Sequence, residues 1–295
     1  TLFPYTTLFR SYAYLKEQKN ALSKLLTRLL ACIGPDGSEE LTDWRFLDWS
    51  TADDNEIRHA GLQGLLAWTF DCGADLASEL NDSRLALRCR AAAAKLRKVA
   101  PDCGGNKIAA AMQILGKVGD AAKLNAEIMR RDPDRGISTF YGYFVLLARA
   151  AAGDTAAALD VIRSYWGGML DFGATTFWED FDLDWPRNAF GIDSLPVAGK
   201  DDIHGDFGKH CYIGLRHSLC HGWAGGPAAF LTEKVLGIRP AAPGFAQVKI
   251  EPCLGNLNRV EGVQPTPFGD IELSVRRIGN RERRLVKLPK EIREL

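Results

Sequence analysis

Trp178, Glu179, Asp180, Asp182, Asp184 and Trp185 fall within eight positions of the stretch GATTFWEDFDLDW. An aromatic face stacks on the apolar side of a sugar ring, while carboxylates accept bonds from its hydroxyls and move protons. Carboxylates set among indoles therefore suit carbohydrate chemistry. A solvated acidic loop, anchored to the core by one tryptophan, is the alternative that the same residues allow.

A second stretch of this kind, LTDWRFLDWSTADDNEIRHAG, places Asp43-Trp44 and Asp48-Trp49 ahead of a helix that Asp53 or Asp54 can cap. Taken alone it reads as N-capping plus core tryptophans. In a closed ring of helices, however, alternate loops fall on the same face, and the DW and WED loops would then meet at one mouth.

The segment DDIHGDFGKHCYIGLRHSLCHGW supplies Asp201, Asp202, His204, Asp206, His210, His217 and His221. Their spacing fits neither an EF-hand nor H-E-x-x-H, and no metal or other cofactor is expected. Cys220 and His221 are a thiol and an imidazole, but neighbours on a helix point roughly 100° apart, which argues against a dyad. GWAGGPAAF reads as close packing or a helix start with Pro227 in its first turn, not as a phosphate cradle.

The elements that must position these residues are mainly helical. YLKEQKNALSKLLTRLLACIG puts Leu15, Leu22, Leu25, Leu26, Leu29 and Leu30 on one stripe that Gly34-Pro35 ends. HAGLQGLLAWTFDCGADLASEL predicts a well-buried helix, and further helices are expected in SRLALRCRAAAAKLRKVA, NKIAAAMQILGKVG and DAAKLNAEIMRR. STFYGYFVLLARAAAG and DTAAALDVIRSYWGGML form a hairpin hinged at Gly153-Asp154, with Asp154 expected as N-cap. Successive hairpins without strands between them leave an α-solenoid or a closed (α/α) barrel, and the absence of tetratricopeptide-like repetition weakens the first. After Leu170 comes a long Gly-, Asp- and aromatic-rich segment of the functional-loop kind, then a return to helix in SLCHGWAGGPAAFLTEKVLGI. From Arg239 onward, alternation such as Val248, Ile250 and Ile271, Leu273, Val275 predicts a small antiparallel β module.

The chain of 295 residues is 46% hydrophobic and 25% charged, the values of an ordinary globular protein. Lys plus Arg equals Asp plus Glu at 37 each, so no bulk field attracts nucleic acid or an anionic membrane, and neither is expected as a partner. No apolar run approaches the roughly 20 residues of a membrane-spanning helix. Seven scattered cysteines without a C-x-x-C pair fit reduced thiols better than a disulfide framework or a zinc site. Residues 1–11, TLFPYTTLFRS, show no structural period, and one codon choice for them resembles the end of a widely used DNA sequencing adapter. They are expected to be a non-native scar standing in place of the true N-terminus.

GATTFWEDF, then SLCHGWAGGPAAFLTEKVLGIRPAAPGF, then a β module opening with QVKIEP resemble the C-terminal half of an α-L-rhamnosidase-like glycoside hydrolase. FLDWST likewise resembles that family's GDW-type loop. The resemblance implies a mainly α fold: an incomplete (α/α)6 barrel over 12–238, with about eight of twelve helices legible, followed by a β-sandwich module over 239–295. It implies an inverting hydrolase acting on a terminal L-rhamnose or similar sugar. Glu179 matches the general base, Trp49 an aromatic against the sugar, and His221 a histidine bonding sugar hydroxyls. Asp48 and Trp178 are taken as substrate-binding neighbours from their positions beside these residues.

The family's acid-bearing loop, of the kind C-P-x-R-x-E, does not occur in the sequence, so the general acid is expected outside this chain and the chain itself is expected to be inactive. Two other readings stay open. One is a different (α/α)-barrel glycosidase, lyase or epimerase, which a residue such as Tyr141 facing Glu179 would favour. The other is a non-catalytic helical scaffold, which would point the DW and WED loops to different faces.

Overall fold

A computed structural model describes residues 12–42, 45–190, 194–195, 197–200 and 218–295. The 1–11 segment, Asp43-Trp44 and the acidic and histidine residues Asp201 to His217 lie outside the described residues. The chain is mostly helical with small sheets, and it divides into two compact units. One comprises 1–43, 65–99 and 230–295; the other comprises 44–64 and 100–229.

In the first unit, α1 (Tyr12–Glu17) leads into α2 (Lys19–Leu30), which packs on α4 (Ser83–Leu96). The long helix α3 (Asn55–Glu79) gives this unit its C-terminal half. Asp82 caps α4 by accepting the Leu85 N–H at 3.0 Å, satisfying a donor that helical bonding leaves free. Leu85, Ala86, Cys89, Ala92, Ala93 and Leu96 then recur at helical spacing as its buried face. Lys95 closes the loop after α2 by donating to the Gly34 carbonyl at 2.6 Å.

The β module of this unit holds two three-stranded sheets. β3 (Arg259–Thr266), β4 (Gly269–Ile278) and β5 (Arg281–Lys287) form an antiparallel meander, with Pro265 tolerated because β3 is an edge strand. The other sheet runs β1 (Ile238–Pro240), β2 (Gln247–Ile250), β6 (Arg293–Glu294). Here the expectation of an antiparallel module needs one correction: β2 and β6 pair in parallel, because β6 returns from β5 by a crossover. Alternating Ile271, Leu273 and Val275 of β4 share one buried cluster with Val248 and Ile250 of β2.

In the second unit, the N-terminal half of α3 crosses α5 (Lys107–Gly116) at two glycines. A methyl group added to Gly116 would lie 2.2 Å from the Gly64 carbonyl oxygen, and one added to Gly64 would lie 2.4 Å from the Met112 carbonyl carbon. The backbones touch because neither residue has a side chain. Asn106 caps α5 by accepting the Ile108 and Ala109 N–H groups at 2.9 Å. Buried Gln113 donates to the Pro101 carbonyl at 2.7 Å, so its polar head is satisfied inside the core.

α6 (Ala121–Leu124) continues as a π turn over Asn125–Met129. α7 (Gly142–Ala151) packs on α5 and pairs with α8 (Thr155–Val161), whose π turn Ile162–Trp166 runs into α9 (Gly167–Asp171). Gly153 hinges this hairpin at φ 79°, as its position suggests. Asp154 departs from its expected role: its side chain makes no cap bond. Its carboxylate accepts instead from Asn125 Nδ2 at 2.9 Å and Arg130 Nε at 3.0 Å, and lies 3.8 Å from buried Arg149. A charge buried on the neighbouring turn outweighs one free N–H at a helix end.

Among the described residues, no helix is long and apolar enough to cross a membrane.

Candidate active site

The segment Thr176–Glu179 and the segment Ser218–His221 run alongside one another in opposite directions. Glu179 N–H donates to the Ser218 carbonyl at 2.8 Å, His221 N–H donates to the Phe177 carbonyl at 2.8 Å, and Thr176 Oγ1 donates to the Leu219 carbonyl. This pairing corrects the expectation that SLCHGW is helical from its start. His221 is extended at φ −121°, ψ 105°, and α10 (Gly226–Phe230) begins only after a short 3-10 turn, with Pro227 inside its first turn.

The pairing fixes Glu179. Its Oε2 accepts the Ser218 N–H at 2.8 Å, and its main-chain oxygen accepts Thr139 Oγ1 and, at 3.2 Å, the indole N–H of Trp223. Nδ1 of His221 lies 4.0 Å from the same Oε2, and its ring is 4.4 Å from that of Trp223. The stretches around Thr139 and Ser218–Trp223 thus fix the Glu179 backbone and one carboxylate oxygen, while Oε1 makes no hydrogen bond among the described residues.

Glu179 lines a cavity of about 300 Å³ with Asp48, Trp49, Phe140, Trp185 and Trp223. Trp49 and Trp223 are exposed by 49% and 38%, so each indole is partly open to solvent. Trp223 stacks on Phe140 at 5.4 Å and 16°, and Trp49 meets Phe46 edge-on at 5.0 Å. Asp180 and Asp182 also line it, so a cavity of small-ligand size combines several aromatic rings with a group of carboxylates.

Asp48 has a positional part. It caps the 3-10 turn Trp49–Thr51, accepting the Trp49 N–H at 2.9 Å with Oδ1 and the Ser50 hydroxyl at 3.1 Å with Oδ2, while Thr51 Oγ1 accepts the Asp48 N–H at 3.2 Å. This reciprocal box sets the direction of the Trp49 ring. Asp54 caps α3 through the Glu56 and Ile57 N–H groups, each at 3.0 Å.

Trp178 is placed otherwise than a sugar platform requires. It is 1% exposed and packs edge-on against Phe181 at 5.9 Å, inside the core. In the alternation of this extended segment, Glu179 faces the cavity and Trp178 faces inward. Asp184 pairs with Arg135 at 2.7 Å and Arg187 at 2.8 Å, and Asp182 lies 3.8 Å from Arg135. These exposed pairs make the far end of the acidic stretch a solvated surface. Glu179, Asp180, Asp182 and Trp185 nonetheless all line the cavity, and of the acidic residues here only Asp184 stands outside it.

Tyr141 is buried and outside the cavity lining, and burial with the nearby Asp48 charge pushes its phenol well above the usual value. A tyrosine acting as proton-abstracting base needs the opposite shift. Trp223, Phe140 and Thr139 were not singled out by sequence reasoning. The aromatic two positions after His221 was the available signal for the first, whereas Thr139 and Phe140 look like the start of an ordinary helix. Among the described residues there is no group of three or more His, Cys, Asp or Glu side chains that could hold a metal ion.

No protein-family model matches the chain, and no curated protein matches it in sequence. Solved structures do match. The GH78 family rhamnosidase of Bacillus sp. GL1 is 22% identical with a TM-score of 0.68, over 96% of this chain and 32% of that one. The Streptomyces avermitilis α-L-rhamnosidase complexed with L-rhamnose is 17% identical at a TM-score of 0.69, over 97% and 28%. The α-L-rhamnosidase of Aspergillus terreus is 16% identical at 0.69, over 95% and 34%. The chain spans about a third of the length of these structures and shares the fold of the part it matches. The resemblance first drawn from the sequence motifs thus extends to the fold.

Proposed function

We propose that this chain is the base-bearing portion of an inverting glycoside hydrolase acting on terminal α-L-rhamnose or a similar deoxy-sugar. The observation that carries the reading is the carboxylate of Glu179, pinned through Oε2 to the Ser218 N–H at the wall of a cavity that partly exposed indoles also line. Glu179 is the general base: it takes a proton from the water that attacks the anomeric carbon on the face opposite the leaving group. Trp49 and Trp223 stack on the apolar faces of the sugar, and His221 bonds its hydroxyls.

An inverting displacement needs a second carboxyl group about 6.5–9.5 Å away to protonate the leaving oxygen. Asp48 and Asp180 already accept N–H groups of their own turns, Asp180 from Phe181 at 2.9 Å. We assign the acid to a carboxyl group outside this chain, which leaves the chain inactive by itself. The proposed architecture is a partial (α/α)6 barrel over 12–238 with a β-sandwich module over 239–295.

The test is hydrolysis of aryl α-L-rhamnosides by the full-length enzyme and its Glu179→Gln variant. Loss of about a hundredfold or more in kcat, with the β-anomer as first product of the parent enzyme, supports the reading. Unchanged turnover removes Glu179 from the mechanism.

A further inference from the structure

The outer face of the β3–β4–β5 meander is polarised along its strands. Ile271, Leu273 and Val275 of β4 are buried, so alternation turns Asp270, Glu272, Ser274, Arg276 and Ile278 outward. The register carries that face to the neighbouring strands: Arg276 stands opposite both Arg259 of β3 and Arg283 of β5, and Ile278 stands opposite Arg281. Four guanidinium groups therefore share the end beside the β4–β5 turn. Three of them form one row across the sheet, stepping about 4.8 Å from strand to strand. The acids Asp270, Glu272 and Glu261 stand in other rows.

Like charges directly opposite one another on a sheet repel. Elsewhere in the module cations are matched: Arg239 pairs with Glu251, Arg277 with Glu282 at 3.4 Å, Arg284 with Glu294, and Lys287 with Glu272 at 2.6 Å. Within the row Arg259 pairs with Glu261, but among the described residues Arg276, Arg281 and Arg283 make no ion pair and no side-chain hydrogen bond. All three are exposed. The row opposes the stability of the free sheet, and a line of negative charges would complete it.

We propose that this face binds an anionic polysaccharide, a polyuronate chain lying across β3, β4 and β5 along Arg259, Arg276 and Arg283. Such a chain is extended and carries one carboxylate on each sugar ring, and its C–H faces suit the exposed Ile278 and Leu285 that flank the row. An anionic membrane, being broad, would meet Glu261 and Glu272 as well as the row. A nucleic-acid strand stacks its bases on aromatic rings, and the outer face of these three strands has none. An acidic peptide takes its backbone bonds from a free edge, not from across three paired strands. The charge geometry stands by itself, whereas the choice of a glycan to carry the charge rests on the carbohydrase reading of the cleft.

Calorimetric titration of the 295-residue chain with an oligogalacturonate, and with its neutral methyl ester, tests this. Arg276→Gln and Arg283→Gln should each weaken the oligogalacturonate about tenfold, salt should weaken it further, and the methyl ester should not bind. Lys249→Gln makes the same charge change at an exposed position of the other sheet and should leave binding unchanged. Both arginines are exposed, and relief of their repulsion should keep the Tm of each variant at or above that of the parent chain. Equal binding of the methyl ester, equal loss with Lys249→Gln, or no binding at all overturns the row as an anion site. Tighter binding of poly-L-glutamate or of phosphatidylserine vesicles than of oligogalacturonate overturns the glycan. Hydrolysis reads the cleft separately: oligogalacturonate binding with turnover unchanged in Glu179→Gln sinks the cleft reading and supports the row, and the reverse pair of results sinks the row alone.

Discussion

Glu179 and Ser218 are bonded twice over: the Glu179 N–H donates to the Ser218 carbonyl at 2.8 Å, and the Ser218 N–H donates to Glu179 Oε2 at 2.8 Å. On the Ser218 side the main chain, not the hydroxyl, makes both bonds. Ser218→Ala should therefore leave kcat of the full-length enzyme within about threefold, whereas Ser218→Pro, which deletes the donor, should cost about 10- to 100-fold, as for a lost bond to a charged group. Rhamnoside hydrolysis measured on both variants checks this, and equal losses would show that the hydroxyl matters.

The capping box at Asp48 makes Trp49 dependent on a carboxylate that need not touch sugar. Asp48→Ala should destabilise by about 1 kcal/mol, a fall of roughly 2–4 °C in Tm, and weaken L-rhamnose binding through a loosened Trp49. Asp48→Asn, which caps as well, should nearly restore both. Thermal unfolding with calorimetric titration distinguishes this from direct binding by Asp48, for which the Asn variant would bind as poorly as Ala.

At the crossing of α3 and α5, Gly116→Ala forces a methyl group to 2.2 Å from the Gly64 carbonyl oxygen. The gain in helix propensity, about 1 kcal/mol, is outweighed by overpacking of about 3 kcal/mol or more. Denaturant unfolding should show a net loss; a net gain would mean the two helices separate freely.

Asp154 gives a pH dependence of definite sign. Burial raises its pKa, but bonds from Arg130 and Asn125 and the charges of Arg130 and Arg149 outweigh burial, so the carboxyl lies below its ordinary value. A depressed carboxyl stabilises the fold above its unfolded pKa of about 3.9, and that contribution is lost as pH falls through the folded value. Asp154→Ala strands buried Arg149 and should cost about 3 kcal/mol at pH 7, with the gap to the parent chain narrowing below pH 4. A gap independent of pH would place the loss in packing.

The helices and the β4 alternation were legible in the sequence because each repeats a local period. Leu85 to Leu96 and Ile271 to Val275 fall on buried faces for that reason. The WED stretch was legible as a site, but which of its members faces the cavity was not. Trp178 and Glu179 differ by one position, and on an extended segment one position reverses the face. Asp154 had an intrinsic preference for the N-cap, and a buried arginine from another helix overrode it. The extended form of His221 is likewise set by pairing with Phe177, 44 positions away, which no local pattern encodes.

The bonds that hold Glu179 come from Thr139, Ser218 and Trp223, at sequence separations of 40, 39 and 44 residues. Contacts of that range are made only after the cost of closing large loops has been met, whereas the helical hairpins close locally. The carboxylate is thus among the last groups to reach its place during folding and among the first to leave it in partial opening. Hydrogen exchange at the Ser218 amide would then run ahead of exchange in α5 and α7, so that the chemistry of the protein is lost well before its fold.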